Sequence, residues 1–145
     1  MGRIDRRQVQ SALTVLVLAA ASSAFADPVK CQRTIADASG KFQKDKSSAL
    51  QKCEDKKTTG KLPANTVCLS DAKTAEQIQK AATKLEASIG KDCGGKDKTC
   101  GTSDDDSLAS IGWGGVTTCP NFENGSCNGP INDCDDVAEC IACVD

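Results

Sequence analysis

The chain has 145 residues, 18 Lys and Arg against 20 Asp and Glu, a net charge of −2, and only four aromatic residues. It contains no histidine, so it lacks the commonest general base, the usual partner of a nucleophilic serine or cysteine, and most zinc and haem ligand sets. Its ten cysteines, all beyond residue 30, point instead to a disulfide framework made in an oxidising compartment.

Residues 1–26 read as an export signal. Arg3, Arg6 and Arg7 give a basic start, residues 11–21 form an apolar run, and Ala24-Phe25-Ala26 supplies the small-x-small pattern for cleavage before Asp27. The apolar run falls short of the ~20 residues that cross a bilayer, so no stable membrane insertion is expected after cleavage. No cysteine follows the cleavage point directly, which argues against a lipid anchor. Arg6-Arg7 would suit twin-arginine export, but Gln8-Val9-Gln10 is poorly apolar. That route also carries folded chains out of a reducing compartment. General secretion, with a secreted or periplasmic product, is the expectation. The remaining 119 residues suit one small domain or a domain with an appendage. So few large side chains bury little apolar area, a deficit that disulfides at ~2–4 kcal/mol each would offset.

Two helix-like segments come next, each bracketed by cysteines. The first carries Cys31, Ile35, Ala38, Phe42, Ala49 and Cys53 in steps of 4, 3, 4, 7 and 4, the seam of a helix packed on one partner. Its missing rung falls at Asp45. Gly40, beside Ser39, is a candidate bend or point of close helix approach. The second segment carries Ala72, Ala75, Ile78, Ala82, Leu85, Ile89 and Cys93, with Ser70 as the expected N-cap. Thr58-Thr59-Gly60 and Pro63-Ala64-Asn65 break the chain between them. At 1.5 Å per residue the two cysteine intervals would span about 33 and 37 Å. Antiparallel packing therefore predicts Cys31–Cys93 at the open end and Cys53–Cys68 at the turn.

From residue 94 the chain is punctuated by glycine and proline. Short loops held by Cys100, Cys119, Cys127, Cys134, Cys140 and Cys143 are expected, their pairing open. A brief helix is predicted to start among residues 133–136, whose carboxylates suit a helix N-terminus, and to run through 137–144. Charge divides the chain at the same place. Residues 27–98 carry 15 Lys and Arg and 10 Asp and Glu, whereas residues 99–145 carry nine acids and no base. Such asymmetry can mark a basic face for anionic partners. The preferred reading is that the two regions attract and pack together, since the lysines are interleaved with acids.

Lys30-Cys31-Gln32, Lys41-Phe42, 49–53 (ALQKC), 94–100 (GGKDKTC), Ser110-Ile111-Gly112-Trp113 and Cys119-Pro120-Asn121-Phe122 form a pattern spanning nearly all of residues 27–145. It resembles a family of exported, cysteine-rich bacterial proteins. The resemblance carries over no activity and no site residues. Members of that family continue past a Cys-x-x-Cys-Val-Asp such as 140–145, so a truncated final helix is expected here.

Several motifs bear on chemistry. Cys140-Ile141-Ala142-Cys143 has redox spacing, but a thioredoxin-type pair needs a preceding strand and a lowered thiol pKa, and Glu139 would raise it. Cys134, Cys140 and Cys143 could ligate a soft ion such as Cu(I) if reduced. Asp104, Asp105 and Asp106, and the group Asp133, Asp135, Asp136 and Glu139, are candidate calcium ligands. Neither group has the spacing of the D-x-[DN]-x-[DN]-G loop, and solvated acid runs or helix capping explain them equally well. Asn124-Gly125-Ser126 fits a glycosylation acceptor. The 54–67 loop, bearing Lys56, Lys57 and Lys61-Leu62, could act as a protease bait or as an ordinary solvated turn.

The fold expected is mainly α: a disulfide-stapled antiparallel helical hairpin over 27–93, then a loop-rich, cysteine-rich acidic tail with a short helix over 94–145. The function expected is a non-enzymatic exported module that binds or has a structural role at the cell surface or in the periplasm. No catalytic residue, cofactor or nucleic-acid partner is expected; a surface polymer or a protein is the candidate partner. The alternative is thiol redox or metal handling by the C-terminal cysteines.

Overall fold

The computed structural model describes residues 27–120 and 126–144. The expected export signal, Asn124-Gly125 of the glycosylation pattern and Asp145 lie outside them. Helix α1 spans Pro28–Thr58, α2 Ala72–Cys93 and α3 Cys134–Val144, with one 3-10 turn at Cys68–Ser70 between α1 and α2. No helix among the described residues is long and apolar enough to cross a membrane.

Helix α1 begins at a sequence signal that periodicity overlooks. The Asp27 carboxylate accepts hydrogen bonds from the backbone N–H groups of Val29 and Lys30, and Pro28 occupies the first helical position, where its missing N–H costs nothing. The helix then runs unbroken past Gly40. That glycine has no heavy atom near its missing side chain, so it marks no close approach. The residue is exposed on the face away from α2, and the surrounding turns hold it helical. Beyond Cys53, α1 continues one further turn and a half, where Lys56 and Lys57 face the negative end of its dipole. Gly60, at φ +71°, reverses the chain.

Helix α2 packs antiparallel on α1. Disulfides join Cys31 to Cys93 at the open end and Cys53 to Cys68 at the turn, so the hairpin is stapled at both ends. The two cysteine intervals, unequal in sequence, fit because Cys68 sits in the 3-10 turn ahead of α2 rather than within it. The N-cap of α2 is Asp71 and not Ser70: its Oδ2 accepts from both N and Oγ1 of Thr74. Thr74 is thereby held on the buried face, while Ala75 is exposed. Replacing Asp71 by alanine is expected to destabilise the hairpin by removing this cap, read as a lower urea midpoint with an unchanged slope.

The buried seam of α1 is Cys31, Ile35, Ala38, Phe42, Ala49 and Cys53, and that of α2 is Thr74, Ala81, Ala82, Leu85, Ile89 and Cys93. Between Phe42 and Ala49 the missing rung leaves Asp45 exposed, and a surface groove opens there, lined by Ala38, Phe42, Leu85 and lysines 41, 44 and 84. At the open end, Lys30 Nζ pairs with Asp92 Oδ1 at 2.7 Å, and Thr34 donates to Asp92 Oδ2 at 2.7 Å. This polar lock crosses between the helices beside the Cys31–Cys93 bridge.

The tail folds back over the open half of the hairpin. Gly94 and Gly95 make that possible: a side chain on Gly94 would collide with the backbone of Thr99, and Gly95, at φ +59°, is covered by Asp104. Loops then lead through an isolated bridge between Thr118 and Pro130 into α3, which packs chiefly on α2. Ile111, Cys119, Ile131, Cys134, Val137, Ala138, Cys140 and Ile141 join the hairpin residues from Cys31 to Phe42 and from Ala81 to Cys93 in one core. Ala49, Cys53, Cys68 and Thr74 are buried outside that cluster, so the turn end of the hairpin stands beyond the tail and depends on its own staple.

The two charge regions do pack together, but among the described residues no ion pair joins them. Among the described residues, the ion pairs are Lys30–Asp92, Lys57–Glu54 and Lys80–Glu76, all within the hairpin. Apolar burial joins tail to hairpin, assisted by Gln32 Nε2 donating to the Ser110 carbonyl and the Asp106 N–H donating to the Cys93 carbonyl.

Candidate functional site

The C-terminal cysteines are positioned by α3, and each is bonded to a different loop: Cys134 to Cys100, Cys140 to Cys119 and Cys143 to Cys127. No cysteine is free. Cys140 and Cys143 therefore do not close on each other, as the oxidised form of a Cys-x-x-Cys redox pair would. Three residues apart on a helix, they point to neighbouring loops and act as anchor points. The same bonding withholds Cys134, Cys140 and Cys143 from a soft metal ion, which binds thiolate.

The acids of the tail separate into three sets. Asp104 and Asp105 organise the loop that follows Cys100. Asp104 Oδ2 accepts the Lys96 N–H at 2.7 Å and Oδ1 accepts the Thr102 hydroxyl at 2.9 Å; these bonds hold its carboxyl below the usual range. Asp105 Oδ2 accepts from Gly101 N and Thr102 N, and its Oδ1 lies 2.8 Å from the same Thr102 hydroxyl, whose one proton the two carboxylates share. Asp97, not singled out by the sequence, lies with them: ligand-type oxygens of Asp97, Asp104 and Asp105 fall within 4.8 Å of one another. Asp97 is itself occupied in a short turn with the Thr99 N–H.

Asp106 and Asp133 meet Asp105 around a neighbouring cleft of about 370 Å³ between this loop and the start of α3. Asp133 is the α3 cap, its Oδ1 accepting the N–H groups of Asp135 and Asp136. Asp106 is buried, at 8% exposure, and its Oδ2 has no hydrogen-bond partner. Desolvation, with Asp27 and Asp105 nearby, pushes its carboxyl upward.

The third set lies on other faces of α3. Asp136 accepts from N and Nδ2 of Asn132, an interaction that shapes the entry to the helix. Asp135 and Glu139 lie close to Glu86 of α2. The Glu86 carboxyl is pushed up first by burial and then by these two like charges. The seven acids thus do not make one site; Asp105, Asp106 and Asp133 are the ones that share a cleft.

Opposed carboxyl shifts give the fold a pH profile. Glu86, raised in the folded state, holds a proton more tightly folded than unfolded, so its contribution falls as pH rises through its folded pKa. Asp71 is held low by its bonds from Thr74, and Asp92 by Lys30 and Thr34. Their stabilisation is present above the ordinary carboxylate range, about pH 4, and is lost as pH falls through their folded values. Stability is therefore expected to peak in mild acid and to decline on both sides. Glu86→Gln should remove the Glu86 share of the upper limb, leave the share of Asp106, whose carboxyl is also raised, and leave the lower limb unchanged, as read by thermal unfolding between pH 2 and 8.

The remaining candidate, the 54–67 bait loop, is shorter than its cysteine interval suggests. Residues 54–58 belong to α1, so Lys56 and Lys57 are helical, and Lys57 Nζ bonds Glu54. Only Lys61-Leu62 lies in the turn. A protease takes an extended segment, which helical hydrogen bonding denies to two of the three lysines. The chain matches no family model, no curated protein and no solved structure.

Proposed function

We propose that this chain is an exported, non-enzymatic module that acts by binding or by structural presence at a cell surface or in the periplasm. The observation that carries the reading is the bonding of all ten cysteines in five disulfides, a state suited to an oxidising compartment. A short apolar run behind three arginines and ahead of Ala24-Phe25-Ala26 supports the route. Two grooves on the hairpin offer lysines to an anionic polymer or an acidic protein segment, one with Lys41, Lys44 and Lys84 and one with Lys52, Lys56 and Lys73.

The test is to express the full chain in a bacterium, fractionate the cells, and determine the N-terminus, the thiol count and the intact mass of the product. The expected product lies outside the cytoplasm, begins at Asp27, takes up no thiol-blocking reagent and regains ten hydrogens on reduction. Retention in the cytoplasm with reactive thiols would overturn the reading.

A further inference from the structure

We propose that the two lysine-bearing grooves of the hairpin are one furrow, and that it binds a linear polyuronate, a polysaccharide with a carboxylate on each repeating sugar. This deepens the binding role proposed above and rests on it.

The grooves line up because of helical register. On α1 they draw on Ala38, Lys41, Asp45, Ala49, Lys52 and Lys56, in steps of three and four. On α2 they draw on Lys73, Gln77, Ala81, Lys84 and Ser88, in the same steps. Such steps trace one stripe along a helix, so both grooves lie on the same side of the α1–α2 contact. One helical turn separates them, from Asp45 to Ala49 on α1 and from Gln77 to Ala81 on α2. From Lys41 to Lys56 the furrow runs about 22 Å. The tail leaves it open: among the described residues, none beyond Ser88 lines either groove. Glu86, beside Asp135 and Glu139 of α3, is two residues from both Lys84 and Ser88 and so faces the opposite side of α2.

Six lysines edge the furrow against two acids, Asp45 and Asp55. Among the described residues none of the six forms an ion pair, and all but half-buried Lys56 are exposed. Cations strung along such a length call for an anion that is itself extended. A small anion meets only some of them, because charges further apart than a Debye length, about 8 Å in physiological salt, act separately.

The furrow also selects among polyanions. Lysine meets an anion as a point charge, without the planar fork by which arginine reads a defined phosphate or carboxylate, and this suits a charge that simply repeats. The floor is three alanines with Phe42 and Leu85, each 2% exposed. It offers no exposed aromatic face for nucleic-acid bases to stack on, and little apolar surface for the buried anchors that hold a protein segment. An acidic polysaccharide needs neither. Its carboxylates meet the lysines, and its hydroxyls meet water and the exposed Gln77 amide.

Fluorescence anisotropy of an end-labelled oligogalacturonate of about ten sugars, long enough to span the furrow, titrated with the oxidised protein, tests the site. Saturable binding is expected, weakened about tenfold or more between 50 and 200 mM salt. Free galacturonic acid should compete at least about 100-fold less well than the unlabelled oligomer, since only the oligomer engages both grooves at once. Two triple variants, Lys41→Gln with Lys44→Gln and Lys84→Gln, and Lys52→Gln with Lys56→Gln and Lys73→Gln, should each weaken binding at least about tenfold. Both should fold, because lysine and glutamine have similar helix propensities, and an unchanged melting temperature checks this. Lys61→Gln with Lys96→Gln and Lys98→Gln removes the same charge outside the furrow and should have under a third of that effect. Absence of binding at 50 mM salt, an effect of one furrow triple alone, or an equal loss in the control triple would overturn the proposal. Equal or tighter binding of a poly-glutamate peptide or a single-stranded DNA of the same length would overturn the assignment to a polyuronate. An exported, fully oxidised protein that ignores the oligomer overturns the furrow and leaves the exported module standing.

Discussion

Replacing Cys31 and Cys93 together by alanine is expected to lower the unfolding free energy by about 4 kcal/mol. The two residues are 62 apart in sequence, so the bridge removes a large part of the freedom of the unfolded chain. The Cys53–Cys68 bridge, with a separation of 15, should contribute about 3 kcal/mol by the same reasoning. Native packing widens the gap. Both sulfurs of the longer bridge are fully buried, at the place where the ends of α1 and α2 meet the tail. For a domain whose whole stability lies at roughly 5–15 kcal/mol, the loss is a large fraction of the total. Equilibrium urea unfolding of the two double variants beside the parent measures it, and a steeper slope is expected because the unfolded chain opens further. If the short bridge proves the more costly one to lose, the ordering by loop length is wrong.

Phe42→Ala should cost about 3–5 kcal/mol. Phe42 is 2% exposed and is the largest side chain in the fully buried part of the core. The next rung of its own seam is exposed Asp45, and the seam resumes only at Ala49. Neighbours Ala38 and Ala81 are too short to fill the space it would leave. Lys46 Nζ, 5.6 Å from the ring centroid, would also lose a cation–π contact of about 0.5–1 kcal/mol. Phe42→Leu should keep most of the volume and cost under about 1.5 kcal/mol. A loss below about 1 kcal/mol for Phe42→Ala, in the same urea experiment, would mean that the helices close over the gap.

Individual residues show where sequence reasoning reaches its limit. The hairpin is legible because its signals are periodic and local. Apolar steps of three and four identify the buried faces of α1 and α2, and helical rise converts cysteine spacing into a meeting point. At the ends of α2 local reading slips by one residue. Asp71 displaces Ser70 as the cap because its carboxylate reaches both donors of Thr74, and that bond turns Thr74 inward where Ala75 is expected. The start of α1 is present in the sequence as Asp27-Pro28, a cap followed by an N1 proline, but it lies before the first apolar rung and so outside the periodic pattern.

The tail has no such period. Six cysteines allow 15 pairings, and nothing in their spacing selects the one formed. The choice is made by α3 docking on α2, which turns Cys134, Cys140 and Cys143 toward three different loops. Its charge is equally hard to read along the chain. Nine acids beside a basic hairpin suggest ion pairing, yet Asp104, Asp105, Asp133 and Asp136 are taken up by nearby N–H groups. Asp135 and Glu139 lie beside another acid, Glu86. By itself, then, the sequence determined the stapled hairpin and the short final helix, because helical periodicity and cysteine spacing are properties of one dimension. Only the tertiary structure decided the tail pairing and the sharing of one cleft by Asp105, Asp106 and Asp133, because these depend on the path of glycine-turned loops across a core that forms in three.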